Sequence, residues 1–114
     1  MARDAWHVLR ENGALTLARH VPVRFDVRAD TWLPGGSALR LAHQIRQDMW
    51  RALKTLRGFS PVVRLRTEAG GWQVAAGGRV CGRFAGVEAR ISEMLERPDH
   101  RARWLCHAGY RPAG

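Results

Sequence analysis

Arginine dominates the chemistry open to this sequence. Of its 114 residues, 19 are basic and 10 acidic, a net charge of +9 with the histidines neutral. Every basic residue except Lys54 is an arginine. Guanidinium is planar and permanently charged, and it meets carboxylate or phosphate with two parallel hydrogen bonds. The choice of arginine over lysine accompanies twelve glycines and many alanines, as GC-rich coding produces. Coding bias accounts for which cation is used. It does not account for the shortage of acids, which favours an anionic partner. Residues 1–57 carry ten basic and five acidic side chains, and residues 58–114 carry nine and five. The charge is therefore not a disordered basic arm but a property of the folded surface.

Two spacings place these cations side by side. Val21, Val23, Phe25 and Val27 alternate with Pro22, Arg24, Asp26 and Arg28, and Val63 and Leu65 alternate with Arg64 and Arg66. Alternation at period two is the mark of a strand with one wet face. If the apolar sets face a core, Arg24, Arg28, Arg64 and Arg66 emerge together as a cationic plate suited to a phosphate backbone. Trp72 joins this plate as a stacking residue if its register turns it outward, and the core if inward. A second, weaker patch is a helical stripe at i, i+4, i+7, i+11 and i+14, made of Arg40, Gln44, Gln47, Arg51 and Lys54. An ordinary solvated helix face has the same composition. Five tryptophans (Trp6, Trp32, Trp50, Trp72 and Trp104) serve either as base-stacking platforms or as core, and Trp50 reads as a core-edge residue.

Other chemistry finds little support. Cys81, His100, Cys106 and His107 lack the CxxC or HxxxH spacing of zinc sites, so no metal is expected. Whether the four meet in space is not given by their order. Pro34-Gly35-Gly36-Ser37 has neither GxGxxG nor a P-loop Lys-Ser/Thr pair, and reads as a turn and helix cap. No paired acids sit in an apolar setting that would tune general acid–base catalysis. Neither a cofactor nor an enzymatic activity is expected.

The elements that must carry these residues follow from punctuation and period. Asp4 to Asn12 reads as a short helix, with Asp4 as its cap and Asn12-Gly13 as its stop. Val21 to Arg28 reads as a strand, and Thr31 to Gly36 as a turn. Ser37 caps a long helix with Ala38, Leu41, Ala42, Ile45, Met49, Ala52, Leu53 and Leu56 on one stripe and Gly58 at its end. Val62 to Thr67 and Trp72 to Ala76 form a hairpin across Ala69-Gly70-Gly71, and Arg79 to Arg83 is a possible third strand. Phe84 to Arg97 is helical up to Pro98, and Asp99 caps a last helix through His107. The order α-β-α-β-β-(β)-α-α implies an α+β domain over residues 1–110, a sheet of three or four strands with helices packed on one face, and a loose end at 111–114. The strands flanking the long helix are candidates for a parallel crossover.

The opening residues lack the apolar stretch of a secretory signal, and no run approaches a membrane span, so a cytoplasmic protein with no membrane partner is expected. The leading expectation is a non-enzymatic domain that binds nucleic acid, RNA in preference to DNA, through the arginine-rich sheet face. The alternative is a protein-interaction module that docks on an acidic partner or self-associates, since Arg and Trp are also enriched at protein interfaces.

Overall fold

The computed structural model describes residues 6–82 and 85–112. The chain runs β1 (His7–Glu11), β2 (Ala14–Ala18), β3 (Val27–Leu33), α1 (Ala38–Leu53), β4 (Ser60–Glu68), β5 (Gly71–Arg79), α2 (Val87–Glu96) and α3 (Pro98–His107). The expected α+β class holds, with more strands than expected. One five-stranded sheet has the order β1-β2-β4-β5-β3, and every neighbouring pair is antiparallel. The strands flanking α1 do run in the same direction, but β5 is inserted between them.

The core forms where the apolar parity of the sheet meets the helix stripes. Leu15 and Leu17, Val63 and Leu65, Val74 and Ala76, and Leu33 project from four strands to one face and are buried there. Leu41, Ala42, Ile45, Met49 and Leu53 of α1 meet them, as the 3–4 residue spacing requires. Ser37 caps α1 as expected, its side chain accepting from the Arg40 amide at 3.3 Å. Helix α1 packs on β4 and β2, α2 packs on β3, and α3 closes over α1 and α2. Trp104 of α3 is fully buried between them.

Four expectations are corrected. The segment read as a first helix is β1 from His7 onward, and Asp4, its expected cap, lies outside the described residues. Asn12 (φ 49°) and Gly13 (φ 75°) are both left-handed, which makes them a two-residue type I′ hairpin turn rather than a helix stop. The strand read at Val21 to Arg28 begins only at Val27 and continues to Leu33. Its first residues are needed elsewhere: β2 and β3 are separated by β4 and β5, so residues 19–26 must traverse about three strand spacings of roughly 4.8 Å each. The turn expected at Thr31 is strand as far as Leu33. Among the described residues no separate strand follows β5, which ends at Arg79; of the segment expected there, Arg83 lies outside the described residues, as does Phe84 at the start of the expected helix.

Close packing of β5 between two strands explains its glycines. A Cβ on Gly77 would lie 1.9 Å from the Val27 carbonyl oxygen, whereas one on Gly70, in the β4–β5 turn, would meet nothing within 4 Å. Gly70 is nevertheless left-handed at φ 78°. Gly77→Ala is therefore expected to separate β3 from β5 and to cost more than about 2 kcal/mol. Gly70→Ala should cost about 1 kcal/mol, from backbone conformation alone. Urea unfolding of the two variants measures both, and equal losses would contradict the packing argument.

Candidate nucleic-acid interface

The sheet face away from the helices is where sequence parity puts the arginine plate. Register lays out its rows: Arg28 opposite Gly77, which is opposite Val62; Asp30 opposite Ala75, opposite Arg64, opposite Thr16; and Trp32 opposite Gln73, opposite Arg66, opposite Ala14. Arg28, Arg64 and Arg66 thus do share the open face. Arg24 lies in the loop before β3 instead.

The plate is largely compensated. Arg24 grips Asp26 through two hydrogen bonds of 2.8 and 3.0 Å, and Arg28 grips Asp30 at 2.8 and 2.9 Å. On β3 the period that turns Arg28 outward also turns outward the residue two positions on, which is Asp30. The Arg24 guanidinium, aided by the Val80 amide, holds the Asp26 carboxyl below the usual carboxylate range. Arg28 does the same for Asp30. Arg64 donates to Thr16 Oγ1 at 3.0 Å and lies 5.4 Å from the Phe25 ring centroid, with Arg28 at 5.5 Å from the same ring. Phe25, expected in the core, is held by these guanidiniums (cation–π contacts). Of the four arginines, Arg66 alone is exposed with no carboxylate, ring or hydrogen-bond partner among the described residues.

Register decides the two tryptophans left open by the spacing: Trp72 turns inward and Trp32 outward. Trp72 is opposite Thr67 and Leu33 on the helix face, packs on the core and donates its indole N–H to the Gly36 carbonyl at 2.9 Å. It is a structural residue and not part of an outward plate. Trp32, read as part of a turn, is on the open face, 38% exposed, with its N–H bonded to the Glu68 carbonyl at 2.9 Å.

The other side of the molecule is different. Along α1 and just past its end, Arg40, Arg51, Lys54 and Arg57 are exposed, and Trp50 among them is 49% exposed rather than at the core edge. Arg40, Lys54 and Arg57 have no carboxylate partner among the described residues. The helix's single acid, Asp48, is 4% exposed. Trp104 Nε1 donates to its Oδ2 at 2.6 Å, Arg103 to the same oxygen at 2.9 Å, and Arg51 to Oδ1 at 3.2 Å. Burial pushes this carboxyl up, and the bonds from Trp104 and Arg103, with the charges of Arg103 and His100, outweigh that and hold it below its ordinary value. One acid is thus consumed internally, and the outer face of α1 keeps its positive charge.

Beside this face opens a cleft of about 570 Å³ lined by Trp6, Arg19, His20, Arg46, Trp50, Phe59 and Pro61. Arg46 and Arg19 lie 4.6 and 5.7 Å from the Trp6 ring centroid. His20 Nδ1 is 2.7 Å from Ser60 Oγ. Residues 46, 50 and 54 are successive i, i+4 neighbours on α1, so the cleft continues onto the helix stripe. Burial and the Arg46 charge push His43, one turn away, towards the neutral form.

The cysteine–histidine set does not assemble: among the described residues no group of three metal-ligating side chains comes together, and Cys81 and Cys106 are exposed free thiols. His100 is bonded to the Met94 carbonyl at 2.9 Å and tilted against Trp104. No helix among the described residues is long and apolar enough to cross a membrane. Compared with protein-family models, curated proteins and solved structures, the chain matches none.

Removing the Asp48 carboxylate strands the buried Trp104 indole N–H and leaves Arg51 and Arg103, both partly in solvent, without their acid. Asp48→Ala is expected to cost about 1–3 kcal/mol, and Asp48→Asn less, because it keeps an acceptor for Trp104. Because folding lowers this carboxyl's pKa, its contribution is complete above the unfolded value of about 4 and fades as pH falls through the lower folded one. Urea unfolding of Asp48→Asn between neutral and acid pH should therefore show a shallower acid loss than the wild type. Parallel curves would contradict the assignment.

Proposed function

We propose that this domain binds single-stranded nucleic acid, RNA in preference to duplex DNA, along the outer face of α1 and into the adjoining cleft. The observation that carries the proposal is the charge arrangement of α1. Arg40, Arg51 and Lys54 stand outward with Trp50 among them, while the helix's one carboxylate is buried and saturated. Phosphates supply most of the affinity of such a surface, through release of their counterions. Trp50, and Trp6 where it is not covered by guanidinium, offer faces on which unstacked bases lie. Bases inside a duplex cannot use such faces, which favours single strands. The sheet face that the arginine spacing first suggests is the weaker candidate, because Asp26 and Asp30 already occupy Arg24 and Arg28.

Fluorescence anisotropy with a labelled oligouridylate and a duplex DNA of equal length tests this reading. The wild type should favour the oligouridylate, with log K falling linearly in log salt. Arg40→Gln/Lys54→Gln/Arg57→Gln should flatten that slope by about 2, at roughly 0.7 for each phosphate that is no longer neutralised. Trp50→Ala should weaken binding by about 5- to 150-fold, the range for one stacked base. Arg24→Gln/Arg28→Gln on the sheet side should bind within about twofold of wild type, since both guanidiniums are already paired with aspartates and paired surface charges contribute little. Weakened binding in the sheet variant with retention in the helix variant would move the interface to the sheet. Absence of salt-dependent binding by the wild type would overturn nucleic-acid recognition altogether.

A further inference from the structure

The two edges of the sheet are treated differently. The outer edge of β3 is covered by side chains from α2 and α3: Glu88 accepts from the Arg28 amide at 2.8 Å, Glu96 accepts from the Thr31 hydroxyl at 2.6 Å, and Arg101 donates to the Trp32 carbonyl at 2.6 Å. Among the described residues the outer edge of β1 has no such cover. All five of its residues are exposed, β1 packs on β2 alone, and Val8 and Leu9 are each 39% exposed. Unpaired edges recruit another strand unless they are blunted.

The geometry of this edge selects its partner. In a two-residue hairpin the residues flanking the turn form a hydrogen-bonded pair. Glu11 is therefore bonded to Ala14, and Leu9 and His7 repeat that role against Thr16 and Ala18. Val8 and Arg10 in between turn their N–H and C=O groups outward. An incoming antiparallel strand must present its own outward groups opposite these two. A second copy of β1 does so when the two strands are centred on Leu9. Val8 then faces Arg10 of the other copy in both hydrogen-bonded pairs, Leu9 faces Leu9, and His7 faces Glu11 on either side. Centring on Arg10 would instead set two arginines opposite each other, which is unfavourable.

We propose that the β1 edge is a homodimer interface in which two copies pair antiparallel about a two-fold axis at Leu9, joining their sheets into one of ten strands. The pairing is isologous, as a two-fold interface requires, and places no like charges directly opposite. Its area is that of one short strand, so the dimer is weak, with a dissociation constant in about the micromolar range. The proposal does not depend on nucleic-acid binding.

Sedimentation equilibrium of the full chain should show a concentration-dependent monomer–dimer equilibrium. Leu9→Lys, which sets two ammonium groups across the axis on an exposed strand, should abolish it while leaving the melting curve nearly unchanged. The register is read by oxidative cross-linking in a Cys81→Ser/Cys106→Ser background. Leu9→Cys places two thiols in a non-hydrogen-bonded pair with Cα atoms about 4.5 Å apart, within the range a disulfide spans, and should yield covalent dimer. Val8→Cys and Arg10→Cys place theirs on the diagonal and should yield little. A monomer at all concentrations, or cross-linking strongest at position 8 or 10, would overturn the proposal.

Discussion

The surface character of this protein turns on one buried carboxylate. Asp48 points inward from the middle of α1 and receives the Trp104 indole and the Arg103 and Arg51 guanidiniums. An unpaired charge at 4% exposure would be prohibitive, so Asp48 and its partners stand or fall together. Trp104 is thereby oriented within the core, and α3 is held against α1 by a directional contact as well as by apolar packing. The electrostatic consequence reaches further than the contact. The only acid α1 possesses is spent inside the fold, where of the outward cations it reaches Arg51 alone, and Arg40 and Lys54 have no carboxylate on their own helix to answer them.

Much of the fold is legible in the sequence because its signals are redundant. Helix α1 has a cap and an apolar stripe from Ala38 to Leu53, and both agree with what is observed. The helix ends at Leu53 with Lys54 as its C-cap, however, short of Leu56 and of the glycine expected to close it at Gly58. The β4–β5 hairpin has alternation on both sides of a glycine turn. The N-terminal hairpin is illegible for a specific reason: Asn12-Gly13 ends a helix as readily as it turns a strand, and His7 to Glu11 has too few residues for either period to stand out. The displacement of β3 arises from topology. Alternation at Val21 to Arg28 is real, but the chain must first cross the ends of β4 and β5, a demand that appears only once the strand order is known.

The candidate site is legible in part for related reasons. Parity correctly puts Arg28, Arg64 and Arg66 on one face, but it acts on Asp30 equally, and a cation count made without the i+2 residues overstates the charge of that face. Tryptophan placement is the least legible. Trp32 and Trp72 occupy neighbouring strands with opposite parity, and only the register separates the one that anchors the core from the one that lies in the open. At Trp50 the helical period marks a flank, and whether a flank is covered depends on how far neighbouring elements extend. Here they stop short of it, and half of the ring stays in solvent.

The uncovered β1 edge and the cationic face of α1 become related when the symmetry of the proposed dimer is worked through. A two-fold axis perpendicular to the sheet keeps both helix layers on the same side of it. Helix α1 lies over β2 and β4, so each copy stands about two strand spacings, roughly 10 Å, from the axis. The two α1 helices are then about 20 Å apart, a separation that leaves about 10 Å between helices of ordinary diameter. Both outward faces are cationic, and a polyanion held by one lies within reach of the other. Such coupling raises affinity through effective concentration without adding a contact. In this arrangement a weak strand pairing and a weak electrostatic surface reinforce each other, since a polyanion that spans both subunits also favours the dimer by mass action.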